Sequence, residues 1–331
     1  MEQKKMAELN QLIESRYRNI AGMNIMKNGK LVYEKYFNGC TSQSTLHVYS
    51  VTKSIVSILI GIAMDQGYIK DVHQRVLDFF PEYAAKRQNS QIENVTLEDI
   101  LTMRAAYKYR IPPYIKYFTS DDWLTFSLDQ LKGRGRDGAF RYTPLIGPDI
   151  LTGILKKATQ QSVLDFAQEN LFTPLDIKVN GSLVFQSKEE QMAFNQATDR
   201  SGWAADAQGL HAAGWGLSLS ARDMARLGQL YLNGGMWDSK QLVSRHWVQD
   251  STTEHNRWKR QNLPYGYLWW IDEKEHSFAA MGDGGNIIYV NPREQLVVSL
   301  VCFFERNVRD SMELIRQFIE PLYCDTQKRQ Q

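Results

Sequence analysis

The sequence predicts an α/β protein in which one sheet is assembled from both ends of the chain and a mostly helical lobe is inserted between them. Three observations carry this. Strand-like segments gather near the N-terminus around Asn28-Gly29, and again between about residues 265 and 304. The stretch from about 72 to 200 reads mainly as helices joined by long loops. Between the first strands and that lobe lies the most apolar run of the chain, Ser54 to Met64.

The elements follow in order. Residues 6–19 have the period of an amphipathic helix. Residues 22–27 and 31–37 flank Asn28-Gly29, a strong signal for a tight hairpin. The run after Ser50 reads as a helix from about 51 to 66, apolar on nearly every face and therefore buried, stopping at Gly67. Thr96 is placed to cap the pattern Leu97-Glu98-Asp99-Ile100-Leu101. Residues 149–158 and 163–170 read as two further helices. Residues 221–233 form a clear amphipathic helix, ended by Gly234-Gly235. Four strands are then expected at 265–270, 278–281, 286–290 and 296–304, and a last helix at 310–323. The expected organisation is one domain over 1–331, with an α/β lobe from 1–72 and 201–331 and a helical lobe from 73–200.

Composition narrows the function. The chain has 331 residues, enough for a large core, with 43% hydrophobic and 23% charged residues, as in ordinary globular proteins. A net charge of +2 gives no field that would favour nucleic acid or an anionic membrane, so neither is expected as a partner. The N-terminal residues lack an apolar signal region, and the run from Ile55 to Met64 is too short to span a bilayer. Cys40, Cys302 and Cys324 are odd in number and far apart, which argues against a disulfide framework. Together these point to the cytoplasm. The six histidines form neither His-x-His nor His-Glu-x-x-His, so no metal is expected. No phosphate-cradling glycine loop is present, and no cofactor is implied.

The chemistry concentrates at Ser50-Val51-Thr52-Lys53, where alone in the chain a lysine stands three residues after a serine. On a helix, residues i and i+3 share a face. Ser50 would then stand at the helix N-terminus with the Lys53 amine one turn away. A serine hydroxyl is a poor nucleophile until a base takes its proton. A lysine becomes such a base when desolvation lowers its pKa. The positive end of the helix dipole would favour a developing alkoxide. The competing reading is plain: Ser-x-x-Lys recurs by chance, and a serine before an apolar run is often only an N-cap. A lysine in the first turn of a buried helix nevertheless needs a reason to be there.

Longer matches surround the tetrad. Ser50-Val51-Thr52-Lys53-Ser54, the segment from Thr96 to Met103, and Gly214-Trp215-Gly216-Leu217-Ser218-Leu219-Ser220-Ala221-Arg222-Asp223-Met224-Ala225 resemble the serine β-lactamase-like hydrolases. That superfamily holds class C β-lactamases, penicillin-binding proteins and esterases. Within it the chain is most similar to the branch of EstB-like esterases and 6-aminohexanoate-dimer hydrolase-like enzymes. The resemblance covers nearly the whole chain. It implies a β-lactamase/transpeptidase-like fold, with an antiparallel sheet flanked by helices.

The resemblance also assigns residues. Phe140-Arg141-Tyr142-Thr143-Pro144 is similar to the family's second motif, which implies that Tyr142 assists proton transfer. From the residues alone, Tyr107 or Tyr109 would serve equally. Pro144 stands where many relatives have asparagine. The third motif, Lys-Thr-Gly or His-x-Gly in relatives, corresponds to Gly282-Asp283-Gly284-Gly285-Asn286. Gly282 replaces the basic residue that helps hold the β-lactam carboxylate, which implies weak penicillin recognition. Arg104 or Lys108 could reach the pocket in its place. The amides of Ser50 and Gly285 are implied as the oxyanion hole. Gly282, Asp283, Gly284, Asn286 and Trp215 are implied to contact substrate. Asp283-Gly284 also has the composition of a plain hairpin turn. Trp215, Trp269 and Trp270 are as consistent with core packing as with a pocket wall. Gly216-Leu217-Ser218-Leu219-Ser220 lacks the last glycine of a nucleophile elbow, and Ser220 fits a helix N-cap better.

The expected function is a serine hydrolase acting through an acyl-enzyme on small esters or amides, with weak or no β-lactamase activity. The alternatives are an acylated binder with slow turnover, a D-amino-acid peptidase, or a fold used only for assembly. The expected partner is a small-molecule ester or amide. The oligomeric state is not legible in the sequence.

Overall fold

A computed structural model describes residues 2–87, 92–134 and 139–323. Its centre is an eight-stranded antiparallel sheet: β1 (Ile20–Lys27), β2 (Lys30–Tyr36), β3 (Asn256–Trp258), β4 (Leu263–Tyr265), β5 (Trp270–Asp272), β6 (Ser277–Gly282), β7 (Asn286–Asn291) and β8 (Leu296–Cys302). The spatial order is β3-β4-β5-β6-β7-β8-β1-β2, so both ends of the chain meet at the β8–β1 pair. Asn28 (φ 51°) and Gly29 (φ 74°) make the β1–β2 turn, with both central residues left-handed as a type I′ hairpin requires.

The sheet is covered on both faces, and its strands alternate accordingly. Met23, Ile25, Ile287, Tyr289, Val298 and Leu300 pack with Leu9 and Ile13 of α1 (Glu2–Arg16) and with Leu314 and Ile315 near the C-terminus. Ile288, Val290, Val297 and Val301 face the other way. They join the core of α2 (Val51–Asp65) and α6 (Ala221–Leu232). Between α2 and α6 in sequence lie α3 (Tyr114–Phe118), α4 (Trp123–Gln130) and α5 (Asp149–Thr159), among other short helices. Thr96 and Ser220 both form capping boxes, the latter opening α6.

Three expectations change, one of them the last helix expected over 310–323, which is α-helical at Ser311–Leu314 and Glu320–Tyr323 with a π turn at Ile315–Ile319 between. Residues 265–270 are not one strand: β4 ends at Tyr265 and β5 begins at Trp270, paired to each other, with Leu268 at φ 64° in the turn between. The turn is apolar because it is buried. Leu268 N donates to Leu101 O, and Leu268 O accepts from Ser54 Oγ of α2 at 2.7 Å. The helix expected over 163–170 is α-helical only at Val163–Ala167 and widens into a π turn at Gln168–Phe172. Cys40 and Cys302 are free thiols, and Cys324 lies outside the described residues. Among the described residues no helix is long and apolar enough to cross a membrane.

Candidate functional site

Ser50 is the N-cap of α2, and its side chain makes no capping bond, so its hydroxyl is free for other work. Every residue from Val51 to Ala63 is buried, which places the start of α2 inside the molecule. Lys53 is 1% exposed, and among the described residues no carboxylate pairs with it. Its Nζ stands 2.8 Å from Ser50 Oγ, 2.7 Å from Pro144 O and 2.8 Å from Gly214 O. Nζ donates to all three oxygens; on losing one proton it can keep both carbonyl bonds and turn its lone pair to the serine hydroxyl. Burial pushes the Lys53 pKa down to about 7, with Asp283 and Asp149 pulling the other way.

Tyr142 completes the cluster. Its ring centroid is 5.1 Å from Lys53 Nζ. Burial holds its pKa well above the ordinary tyrosine range, and its hydroxyl feels Ser50 closely enough for that residue to oppose the rise. Tyr265 and Trp270 wall its ring. Tyr107 and Tyr109, which the sequence could not distinguish from Tyr142, instead stack on each other with the Arg141 guanidinium beside both rings.

The carbonyl that receives Lys53 belongs to a braced segment. Ala213 N donates to Asp149 Oδ1 at 2.8 Å, and Gly216 N donates to His47 Nε2 at 2.8 Å. The other Asp149 oxygen accepts from Tyr117 at 2.6 Å, and that hydroxyl also receives Trp215 Nε1 at 3.3 Å. His47 is pushed down to about 3 by burial, so it is neutral and able to accept. Burial likewise pushes Asp149 up to about 7, with the Tyr117 bond opposing it. A Cβ at Gly214 would overlap Pro144 O, so glycine is what lets the two carbonyl-bearing segments meet.

The β6–β7 hairpin brings in the third segment. β5 pairs with β6 only as far as Ala279, leaving the end of β6 to face α2. A Cβ at Gly282 would overlap Val48 O and stand 3.2 Å from Ser50 N. Asp283 is exposed, and its charge acts on Tyr49, Lys53, Tyr114 and Tyr142. The tip turns elsewhere. Gly284 O accepts from Asn19, Gly285 O accepts from Ser311, and the Asn286 side chain bonds Asp283 O and Cys302. Thus Ser50, Lys53, Tyr142, Gly282 and Asp283 converge. Gly284, Gly285 and Asn286 are anchored toward the chain's two ends, and the Trp215 ring packs among Phe118, Trp123 and Phe185.

The two basic residues that could have reached the pocket are engaged elsewhere. Arg104 pairs with Glu98 at 3.7 Å, and Lys108 donates to Asp129 O. Ser218 is buried in a two-residue strand beside His47. His47, Asp149 and the carbonyls of Pro144 and Gly214 escaped sequence reasoning. A carbonyl has no residue-type signal, and an aspartate in a helix's first turn looks like an ordinary dipole partner. Among the described residues no cluster of histidine, cysteine, aspartate or glutamate could hold a metal ion.

Comparison with known proteins bears on the family and the fold. The Beta-lactamase family profile matches residues 9–314. A 6-aminohexanoate-dimer hydrolase of Paenarthrobacter ureafaciens is 23% identical over 300 residues, spanning 83% of this chain and 70% of its own. Among solved structures, a penicillin-binding protein homologue from Caulobacter crescentus superposes with a TM-score of 0.72 at 17% identity, covering 96% of this chain and 97% of its own. A family VIII carboxylesterase does so with a TM-score of 0.72 at 16% identity, covering 97% of this chain and 96% of its own. At these identities the structural likenesses establish the fold.

Proposed function

The chain belongs to the Beta-lactamase family and is a hydrolase of that superfamily, and we propose that it cleaves small esters or amides through an acyl-enzyme on Ser50. The observation that carries this is the buried Lys53 amine, 2.8 Å from Ser50 Oγ and without a carboxylate partner among the described residues. Lys53 takes the hydroxyl proton as Oγ attacks the carbonyl carbon, and the C–O or C–N bond to the leaving group breaks as the tetrahedral adduct collapses. Tyr142, beside Lys53, passes a proton to the departing alkoxide or amine. A water then attacks the acyl carbon and gives a proton to the Lys53–Tyr142 pair; as the C–Oγ bond breaks, the pair hands a proton back to Ser50 Oγ and the acid leaves.

The oxyanion is held by the Ser50 amide at the positive end of α2 and by a second amide from the β6–β7 hairpin. Resemblance nominates Gly285. The approach of Gly282 to Ser50 N favours the next amide, that of Asp283. The hairpin offers no cation, and Asp283 adds a negative charge at the site. A β-lactam carboxylate is therefore disfavoured, which supports neutral esters or amides as substrates. Similarity to a 6-aminohexanoate-dimer hydrolase and a carboxylesterase points the same way.

The test is a panel of p-nitrophenyl acetate and butyrate, short amides, D-amino-acid peptides and nitrocefin. The esters or amides are expected to exceed nitrocefin in kcat/KM, the quantity that measures discrimination. Nitrocefin hydrolysis above that of p-nitrophenyl acetate and butyrate would restore a β-lactamase. An acyl adduct on Ser50 that persists without turnover would make the protein an acylated binder.

A further inference from the structure

Large apolar side chains left in water are the chain's least explained feature. Ten are exposed among the described residues, and four of them, Ile115 (83%), Phe118 (37%), Val184 (42%) and Met192 (51%), line a single cavity of about 630 Å³. Such clustering is not the scattered exposure usual on a protein surface. The cavity is also lined by residues from segments that help build the site. Trp215 lines it and follows Gly214, whose carbonyl holds Lys53. Tyr114 lines it as well, and its hydroxyl interacts electrostatically with Tyr142 and Asp283. The rim is carried by α3 and by residues 184–192, two segments remote in sequence whose apolar side chains stand among polar ones such as Gln186, Lys188 and Gln191.

We infer that this cavity is a subsite for an apolar chain of the substrate, an unbranched aliphatic or aryl group of about six carbons or more. The inference rests on the reading of Ser50 as nucleophile. It adds that the hydrolase prefers medium-chain over acetyl-sized substrates. A volume of about 630 Å³ is ample for such a chain, and the exposed rim supplies apolar surface for it to cover. The negative charge of Asp283 at the catalytic end disfavours a carboxylate terminus there, so the chain is expected to be uncharged near the reacting carbonyl.

The experiment measures kcat/KM, below micelle-forming concentrations, for p-nitrophenyl esters from acetate to decanoate and for n-alkyl acetates from ethyl to octyl. One series lengthens the acyl side and the other the leaving group. In one of them kcat/KM is expected to climb roughly two- to four-fold per methylene, as expected for partly to fully buried CH₂ groups. The double variant Ile115→Ser/Met192→Ser changes two exposed side chains and is expected to lower the octyl-to-acetyl or octyl-to-ethyl ratio about ten-fold. A flat profile in both series, or a ratio unchanged in the variant, overturns the subsite while Ser50-dependent turnover stands. Turnover that survives Ser50→Ala overturns the nucleophile and the subsite with it.

Discussion

Lys53 is asked to be a base, and its surroundings decide whether it can be. It lies between two carbonyls and a hydroxyl, with no carboxylate pairing to hold its proton among the described residues. With the lysine pKa depressed to about 7, the free enzyme should gain kcat/KM as pH rises through that value. Lys53→Arg keeps a charge that cannot be shed at ordinary pH. It is expected to be nearly as inactive as Lys53→Ala, and comparable kcat values for the two would bear this out; a largely active Lys53→Arg would reduce Lys53 to an electrostatic role. Ser50→Ala is expected to lose turnover, keeping at most the roughly 10³-fold residual of a site without its nucleophile. Its stability should hardly change, since Ser50 makes no side-chain cap bond. Asp149 acts at one remove. Asp149→Asn keeps the bond from Ala213 N and can replace that from Tyr117 by donating its amide to the phenol oxygen, while it removes a charge that favours the ammonium form of Lys53. Its acid limb should therefore move to lower pH with activity retained. Asp149→Ala strands two buried donors, Ala213 N and the Tyr117 hydroxyl, at a cost of about 1–3 kcal/mol each. A pH profile identical to wild type in Asp149→Asn would reduce Asp149 to packing.

At the scale of elements, the β6–β7 hairpin shows what glycine at 282 is for. The end of β6 presses on the first turn of α2 so closely that a methyl group there would overlap Val48 O. Gly282→Ala is expected to push hairpin and helix apart, lowering kcat by at least ten-fold while Ser50 remains in place. Wild-type kcat in Gly282→Ala would show that the close approach has no catalytic role. The same element marks how far the sequence could be read. Asn28-Gly29, the apolar α2 and the caps of α6 announce themselves because each rests on local chemistry. The tetrad Ser50–Lys53 was legible because three residues of helix set its geometry. Tyr142 was selected by resemblance rather than by its surroundings in sequence. The turn at 266–269 was not legible, because burial against α2 makes a turn as apolar as a strand. Nor was the anchoring of Gly285 by Ser311, a contact across 26 residues that only the fold brings about.

Across the whole molecule, the candidate site draws on segments near residues 50, 143, 214 and 282, and the buried ionisable groups Lys53 and Asp149 stand among and behind them. That arrangement has a thermodynamic signature. Lys53 falls from 10.5 to about 7 on folding, so between those values the unfolded chain binds more protons and stability rises with pH. Asp149 rises from 3.8 to about 7, so between those values the folded chain binds more protons and stability falls as pH rises. The two windows meet near neutrality, where both groups oppose folding most. Within each window the slope approaches about 1.4 kcal/mol per pH unit at its steepest. Lys53→Met removes the upper window alone. Its buried carbonyls at 144 and 214 lose a donor, a cost that does not vary with pH. Relative to Lys53→Met, the wild-type protein should therefore gain stability steadily from pH 7 to pH 10 in urea titrations. A difference that stays constant over that range would mean that Lys53 keeps its proton in the folded state, and the lysine could not then serve as the base.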